Sequence, residues 1–431
     1  MMKSLKCFFK TPSPRYLQAA GALTIAALFL AGTLVWSQAP PAGASGRGRG
    51  GRGGSGRGLQ ADLEHPIMPI GTHIPDFTLP GADGKTHSLS EWAGAKFLAI
   101  VFECNHCPVS QIYEGRIKKL YDDYRGKGVA LVAINPNNPG SVRLNEEGYT
   151  DLEDSLPEMK LRLADRHITW PYLYDGETQI TATKFGVVAT PHIFIFDQER
   201  KLRYQGRIDD NQNEALVKSQ DARAALDALL AGKPVPVENT RAFGCSTKWL
   251  SKAEGSQSRG AEMEKIKAEP VKLDMAGADE LKKLRTNSSG KVQVVTFWST
   301  KCTTCADTFH DLESTYRMYR LRAFTLVTVA TDPASDTPAV MDFLHKQYAS
   351  GTNVQSTADH NALQAAFGEK WKPNTLFTVA IAQDGSVIYK KEGKLALPDL
   401  LALRRVSQAH MPDTGYPGSQ AYWQEDFKKA H

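Results

Sequence analysis

Two short cysteine motifs carry the chemistry that this 431-residue chain can do. The first, at Cys104–Cys107, reads C-N-H-C and follows the apolar run FLAIVF; the second, at Cys302–Cys305, reads C-T-T-C and follows VVTFW. Four of the six cysteines lie in these two pairs, and such pairs either exchange a disulfide or bind a metal ion. Each pair stands at a predicted strand-to-helix junction with its own fold around it, which disfavours one zinc site shared by both pairs.

The composition is that of a soluble globular protein, with 41% hydrophobic and 23% charged residues. The length predicts two domains of roughly 130–170 residues plus tails. The net charge of +5 comes from the N-terminal segment, because residues 1–58 hold eight Lys or Arg and no Asp or Glu. The rest of the chain carries a net charge of −3, so the sequence predicts no nucleic-acid partner.

Residues 1–44 have the pattern of a targeting segment. Basic residues precede an apolar stretch from Ala19 to Trp36, and Ala42–Ala44 is a candidate cleavage site. The stretch is 18 residues long, at the edge of what spans a bilayer, so a cleaved signal peptide and a membrane anchor are both open. Both predict export to the periplasm or another extracytoplasmic space, and the second would anchor the protein in the inner membrane. The Gly- and Arg-rich residues 45–66 are predicted to be a disordered linker.

Strands alternate with helices twice along the remaining chain, which predicts an α/β fold with two mixed sheets flanked by helices. We assign 67–250 to a first domain, 251–269 to a linker, 270–405 to a second domain and 406–431 to a C-terminal tail. The predicted elements of the first domain are the strands Phe97–Phe102, Val129–Asn135 and Ile193–Asp197, a helix to about Arg125, and the helices Leu156–Arg166, Glu177–Phe185 and Asn213–Ala231. Those of the second domain are the strands Val292–Trp298, Phe324–Thr331, Leu376–Ala382 and Val387–Glu392, a helix from the C-T-T-C motif to about Leu321, and the helices Ala278–Arg285, Thr337–Tyr348 and Leu397–Arg405.

With these elements in place, the chain resembles the thioredoxin superfamily twice. In the second domain, F-W-S-T-K-C-T-T-C occupies the place of the family's strand and C-x-x-C. The first domain resembles the redoxin branch, related to alkyl hydroperoxide reductase and thiol-specific antioxidant proteins, and within it a peroxiredoxin-like group with a C-N-H-C-P motif. The segments that carry this match are Cys104–Pro108, Pro171–Asp175, Thr190–Pro191, Gly206–Asn211 and Phe243–Trp249. The resemblance implies two thioredoxin-like folds in tandem.

The resemblance also indicates which cysteine of the first pair is the nucleophile. In the second domain Phe297 lies five residues before Cys302, which is the thioredoxin spacing, and five residues after Phe102 is Cys107. Pro108 supports this register, because proline favours the first helical position and so leaves Cys107 at the N-cap. There the unpaired N–H groups and the helix dipole favour a thiolate, and such placement lowers a cysteine pKa from about 8.5 toward roughly 3.5–7.5. Cys107 is therefore the expected catalytic thiol.

The other cysteines take their expected roles from the same register. Cys104, at the strand end, is the expected disulfide partner of the nucleophile, and Ser110 fills the position of Cys305. Cys245 is a weaker candidate for a resolving cysteine, and a buried structural thiol is an equal alternative. Cys302 is the expected nucleophile of the second pair, whose alternative is a static structural disulfide.

The resemblance implies a substrate-binding group made of Thr190, Pro191 and His106. Pro191 matches the cis-proline that faces the active cysteine in this superfamily and holds the substrate backbone beside the disulfide. His106, when protonated, would favour a thiolate and make the disulfide more oxidising, whereas the alternative is a solvent-exposed loop histidine. In the second domain the cis-proline is expected at Pro373; otherwise its position is Thr375, the proline is missing, and the site is a weak or altered one.

The expected function is that of an exported thiol–disulfide oxidoreductase that needs no cofactor beyond its cysteines. Its partners would be protein thiols, protein disulfides or an upstream reductase, and electrons would pass between the two pairs. A thiol peroxidase is an alternative, but the P-x-x-x-T-x-x-C motif would need proline at Ile100 and threonine at Cys104. We assign no metal site, although copper on Cys104, Cys107 and either His106 or His192 is a further alternative, as is a non-catalytic interaction protein.

Overall fold

Residues 65–255, 258–416, 419–420 and 422–424 are described by the computed structural model. They form two mixed β-sheets, each flanked by helices, and we call the two parts the first and second domains. The strands of the first domain are β1 (Thr78–Pro80), β2 (Thr86–Ser88), β3 (Phe97–Phe102), β4 (Val129–Asn135), β5 (Tyr172–Tyr174), β6 (Ala189–Thr190), β7 (His192–Phe196), β8 (Leu202–Gly206) and β9 (Cys245–Ser246). Its helices are α1 (Pro108–Tyr124), α2 (Leu156–Asp165), α3 (Ile180–Phe185) and α4 (Asp221–Leu230).

Strand β3 lies at the centre of the first sheet, whose order is β5-β4-β3-β7-β8. It pairs in parallel with β4 and antiparallel with β7. Leu98, Ile100 and Phe102 pack on the face covered by α3, while Ala99 and Val101 pack on the face covered by α1 and α4. A strand buried on both faces needs an unbroken apolar sequence, which explains FLAIVF and places the residues that follow β3 at the edge of the core.

The second domain repeats this plan with one further edge strand. Its strands are β10 (Asp274–Ala276), β11 (Val292–Trp298), β12 (Phe324–Ala330), β13 (Thr352–Ser356), β14 (Phe377–Ile381) and β15 (Val387–Glu392). Its helices are α5 (Arg259–Lys267), α6 (Ala278–Thr286), α7 (Cys305–Tyr319), α8 (Thr337–Lys346), α9 (His360–Phe367) and α10 (Leu397–His410). The sheet order is β10-β13-β12-β11-β14-β15, so β11 takes the central place that β3 takes in the first domain.

The predicted bounds of β3, β4, β11 and β15 are confirmed, while several other predictions were wrong. The helix expected from residue 177 begins at Ile180, and the helix expected over 213–231 covers only Asp221–Leu230. Strands β10 and β13 and helix α9 were missed. The predicted linker at 251–269 contains α5, whose Ile266 is buried in the core of the second domain.

The residues that follow the second domain also have structure that the sequence analysis left unassigned. Helix α10 continues five residues beyond the predicted end at Arg405 to His410. Tyr422 and Trp423 are buried, and the Tyr422 ring lies under the guanidinium groups of Arg162 and Arg166. The tail therefore packs partly against the first domain.

Within the described residues, we find no helix that is both long enough and apolar enough to cross a bilayer. The predicted signal or anchor at 1–44, and the predicted linker as far as residue 64, lie outside these residues.

Candidate redox site

Cys107 is the N-cap of α1, as the sequence predicted. Its backbone is extended, Pro108 occupies the first turn, and the Gln111 amide donates to the Cys107 carbonyl at 3.0 Å. The Cys107 sulfur therefore lies where the unpaired N–H groups of α1 begin. The side chain is fully buried, which the sequence analysis did not anticipate.

The disulfide partner of Cys107 is Cys245, and the expected bond to Cys104 is absent from the described structure. Strand β9 pairs antiparallel with β6 in a register that sets Cys245 opposite Thr190. This pairing brings the two Cα atoms of the disulfide to 5.9 Å, within the normal range for such a bond. Cys104 is left as a free, buried thiol.

Gly244 lets β9 approach β6 this closely. Its φ of +154° lies in a region that glycine favours, and a Cβ atom there would stand 2.0 Å from the Thr190 carbonyl oxygen. We expect Gly244→Ala to push β9 away and to lower the fraction of chains with a Cys107–Cys245 bond by about half or more, since the clash is with backbone. Non-reducing peptide mapping measures that fraction. Gly232→Ala, at a positive φ with no atom within 4 Å of the added Cβ, is the matched control, and an equal loss there would contradict the prediction.

Cys104 follows β3 and is enclosed by hydroxyl groups. Its sulfur lies 3.1 Å from Thr190 Oγ1 and 3.9 Å from Ser110 Oγ, and its backbone N–H donates to Ser110 Oγ at 3.4 Å. The Cys107 sulfur lies 3.5 Å from the Thr190 carbonyl oxygen. Thr190 therefore touches both sulfur atoms of the C-N-H-C motif.

His106 is buried and ion-paired, so the alternative of a solvent-exposed loop histidine was wrong. His106 Nδ1 lies 2.5 Å from Asp154 Oδ2, and the Asn105 and His106 backbone amides donate to Asp154 Oδ1 at 2.8 and 3.0 Å. Burial alone lowers the pKa of His106, but the Asp154 carboxylate and the adjacent Cys104 raise it well above its ordinary value. Burial likewise raises the pKa of Asp154, but the His106 charge and its hydrogen bonds hold it below its ordinary value.

The same side chains are the group in the described residues that could hold a metal ion. Ligand atoms of Cys104, His106 and Asp154 all lie within 4.8 Å of one another. However, Asp154 Oδ2 also accepts a hydrogen bond from Asn137 Nδ2 at 2.8 Å, so each carboxylate oxygen already has two partners. An ion would have to replace these bonds. His192 lies outside this group and is bonded to Gln205 instead.

The peptide bond between Thr190 and Pro191 is cis, as the resemblance implied. Both residues are buried, and β7 begins at the next residue. Pro191 thus stands between the strand that holds Cys245 in place and the strand that pairs with β3. A role for Thr190 and Pro191 in binding a substrate backbone remains a prediction.

Glu103, the residue between β3 and Cys104, is a buried acid. Burial raises its pKa to about 8, although a hydrogen bond of 3.0 Å from Trp170 Nε1 opposes this. Because Glu103 keeps its proton in the folded state but loses it in the unfolded state, the free energy of unfolding falls as the pH rises from the unfolded pKa, about 4.3, toward 8. We expect this fall to be roughly 3 kcal/mol between about pH 5 and 8 in the wild-type protein and to be absent in Glu103→Gln. Urea titrations at both pH values test this, and parallel losses in both proteins would contradict it.

The second cysteine pair forms a disulfide between Cys302 and Cys305. Cys302 is partly exposed and Cys305 is buried at the first residue of α7. Unlike Cys107, Cys302 therefore precedes the helix by a turn. Pro373 is not preceded by a cis bond, since the one cis bond among the described residues is at Pro191.

The pairing of the two sheets identifies the residue that replaces the cis-proline in the second domain. Phe102 pairs with His192 in the first sheet, and Phe297 pairs with Phe377 in the second. The residue before Phe377 is Leu376, which therefore occupies the position of Pro191. The sequence analysis expected the strand to begin at Leu376 and therefore placed this position at Thr375. Strand β14 begins at Phe377, so the expectation of Thr375 was wrong by one residue.

Residues 147–154, which we call the bridging segment, connect the first redox site to the second domain. On one side, Asn105 Nδ2 donates to the Glu153 carbonyl at 2.7 Å, next to the Asp154 contacts with His106. On the other side, the second domain binds the segment through bonds from Arg259 to Glu147 and Glu153, from Tyr319 and Gln408 to the Thr150 carbonyl, from Arg322 to the Gly148 carbonyl, and from Arg404 and Arg405 to Asp151. The second domain thus helps to position Asp154.

The sequence analysis missed Asp154, Asn137 and the bridging segment. Asp154 lies 48 residues from His106, and no local motif distinguishes it from the other acids around it.

The motif Gly206–Asn211 has a structural role. Asp209 accepts bonds from Tyr113 Oη and Arg116 Nη1 at 2.6 and 2.8 Å and so anchors α1.

Two family models match separate parts of this chain. Residues 70–205 match the model of the AhpC/TSA family, and residues 261–402 match the model of the Redoxin family. The chain is a tandem of two thioredoxin-superfamily domains. Cys245 lies between the two matched ranges, so its bond to Cys107 is contributed by chain outside the matched part of the first domain.

A curated relative and two solved structures share sequence with this tandem protein. The thiol-disulfide oxidoreductase ResA of Geobacillus thermodenitrificans is 26% identical over 141 residues, covering 32% of this chain and 70% of the relative. An uncharacterized conserved protein of Geobacillus kaustophilus is 38% identical over 42% of this chain and 93% of its own, with a TM-score of 0.38. A hypothetical protein of Sinorhizobium meliloti 1021 is 33% identical over 43% of this chain and 96% of its own, also with a TM-score of 0.38. The match to ResA and the AhpC/TSA family match support oxidoreductase chemistry for this chain.

Proposed function

We propose that this protein is an exported thiol–disulfide oxidoreductase whose main exchange site is Cys107. The observation that carries the proposal is that Cys107, at the N-cap of α1, is bonded to Cys245 while the free thiol of Cys104 is buried beside it. A helix N-terminus stabilises a thiolate and so makes it a better leaving group. Disulfide exchange is faster when the leaving thiol has a lower pKa. The thiol–disulfide name of the ResA relative agrees with this chemistry.

The partners of this site are proposed to be protein thiols or disulfides. Cys245 is the one half-buried sulfur of the first domain, whereas Cys104 and Cys107 are buried, so a partner reaches the disulfide from the side of Cys245. The partner thiolate attacks Cys245, a mixed disulfide forms, and Cys107 leaves as a thiolate. Pro191 and Thr190, beside Cys245, are the proposed contacts for the partner backbone.

The second pair is proposed to be a separate exchange site. Cys302 is partly exposed and open to a partner, but Leu376 replaces the proline that lies beside the first site. Cys302–Cys305 lies at the start of α7, and the contact with the bridging segment is made at the other end by Tyr319. We therefore propose that the two sites exchange with separate partners, in place of the electron transfer between the two pairs that the sequence analysis expected.

Export is proposed from the pattern of residues 1–44. Disulfides persist in oxidising compartments outside the cytoplasm, and two disulfides agree with a periplasmic or other extracytoplasmic location. Whether the segment is cleaved or anchors the protein in the inner membrane is tested by N-terminal sequencing of protein taken from membrane and soluble fractions.

A redox titration of the full chain tests the function. The protein is equilibrated across a series of glutathione potentials, trapped with acid, alkylated and mapped by mass spectrometry. We expect two reversible two-electron couples, of which Cys107→Ser abolishes the first and Cys302→Ser the second. Disulfides that stay oxidised at every potential would be structural and would contradict the proposal. Sulfenic acid formed at Cys107 by stoichiometric peroxide, without exchange on a protein disulfide, would favour a peroxidase instead.

A further inference from the structure

Three sulfur atoms of the first domain lie at increasing depth around Thr190. Cys245 pairs across from Thr190 and is half-buried, Cys107 touches the Thr190 carbonyl, and Cys104 touches the Thr190 hydroxyl. Two of the three form the disulfide, and the innermost is a free thiol. An exchange site needs only two cysteines, so the third requires an explanation.

The ion pair between His106 and Asp154 lies beside Cys104. His106 Nδ1 lies 2.5 Å from Asp154 Oδ2, and ligand atoms of Cys104, His106 and Asp154 lie within 4.8 Å of one another. The buried Asp154 carboxylate faces His106 and raises the pKa of its ring. A histidine beside a cysteine is a common activator of a sulfur nucleophile.

We propose that Cys104 is an internal exchange thiol that attacks Cys107 in the oxidised protein and releases Cys245 as a free thiol at the surface. This proposal rests on the proposed function of the same site. Asp154 acts as a positioning residue, because it touches neither sulfur of the disulfide and holds the His106 ring through Nδ1.

The step balances without an outside reagent. Cys104 gives its proton to solvent as its sulfur forms a bond to the Cys107 sulfur, the Cys107–Cys245 bond breaks, and Cys245 leaves as a thiolate that takes a proton from solvent. One disulfide and one thiol are present before and after, so nothing is oxidised or reduced overall. The result is a disulfide stored inside the domain and a reactive thiol at its surface.

A trapping experiment on the full-length oxidised protein tests the proposal. The protein is held at neutral pH with N-ethylmaleimide, quenched in acid at intervals, digested without reduction and mapped by mass spectrometry. We expect maleimide to accumulate on Cys245 while a Cys104–Cys107 bond appears. In Cys104→Ser the Cys107–Cys245 bond should persist and Cys245 should stay unlabelled.

A second variant tests the positioning role. Asp154→Asn should slow the labelling of Cys245 by about tenfold, the effect of losing one charge-assisted hydrogen bond. The matched control is Asp342→Asn, which removes an exposed carboxylate that pairs with Lys346 and contacts no residue of the group. Asp154 also accepts bonds from two backbone amides, so circular dichroism is used to check that the variant folds. If Asp154→Asn does not fold, the comparison of wild type with Cys104→Ser still tests the proposal.

Three results would overturn the proposal: label on Cys104 with the Cys107–Cys245 bond intact throughout, labelling of Cys245 at the same rate in Cys104→Ser, or zinc or copper bound at stoichiometric levels to Cys104. Exchange with a protein disulfide, measured on the same preparations after reduction with dithiothreitol and its removal, separates this outcome from failure of the proposed function. If the function fails, no preparation exchanges with the protein disulfide. If only the internal step fails, the wild-type protein still does.

Discussion

Cys107→Ser is expected to lower the rate of exchange with a protein disulfide by at least about a thousandfold, to the uncatalysed background. Cys107 is the sulfur that holds Cys245 in the observed disulfide and that Cys104 would attack, so its loss leaves the first domain without any disulfide. The measurement is the release of thiols from a small disulfide-bonded substrate protein, followed over time with the full chain that has first been reduced with dithiothreitol and separated from it by gel filtration.

The matched control for this variant is Cys302→Ser, which removes the nucleophile of the second pair. We expect a loss smaller than about tenfold, because Cys302 lies three residues before the start of α7 and lacks the N-cap position of Cys107. A thousandfold loss in Cys302→Ser, together with near-normal exchange in Cys107→Ser, would move the main site to the second domain.

Arg405→Ala is expected to lower the free energy of unfolding by roughly 3 kcal/mol, because it leaves a buried carboxylate without its nearest cation. Asp151 is fully buried, Arg405 Nε lies 2.7 Å from its Oδ2, and the remaining partner Arg162 stands 3.6 Å from its Oδ1. Urea titration at neutral pH measures the loss. The exchange rate of the first site should fall as well, because Asp151 and Asp154 belong to the same bridging segment.

The effect of Arg405→Ala should depend on pH in a defined direction. Burial raises the pKa of Asp151, but the charges of Arg405 and Arg162 bring it below its ordinary value. Asp151 therefore stabilises the fold above its unfolded pKa of about 3.9, and this contribution is lost as the pH falls through the lower, folded pKa. The difference between wild type and variant should shrink in acid.

A control at an exposed ion pair separates this effect from a general loss of charge. Lys346 pairs with Asp342 on α8 with both side chains largely exposed, so Lys346→Ala should change the unfolding free energy by less than about 0.5 kcal/mol. Equal losses in both variants, or a difference from wild type that does not shrink in acid, would contradict the role assigned to Asp151.

Much of the fold was predictable because local rules decide it. The bounds of β3 and β11 follow from unbroken apolar runs, and Pro108 alone indicates that Cys107 caps α1. Helix α5 was missed because the polar sequence around Arg259 shows little apolar periodicity, and only Ile266 is buried. The packing of Ile266 in the core of the second domain stabilises this helix, and that contact cannot be read from the sequence.

The site was less predictable than the fold because its partners are distant in the chain. The choice of Cys245 over Cys104 as partner depends on the register of β6 against β9, which Gly244 permits by approaching Thr190. Asp154 reaches His106 from a segment that the second domain binds through Arg405 and other side chains. A single sequence contains the residues of such contacts but not their pairing.

The most direct test of the account is the pH profile of Cys107 alkylation in the fully reduced protein, followed by mass spectrometry of its peptide. We expect the rate to reach half its maximum at a pH below about 7.5, because the start of α1 favours the thiolate. A midpoint at about 8.5 or higher, the value of an ordinary free cysteine, would show that burial outweighs the helix and would contradict the central role of Cys107.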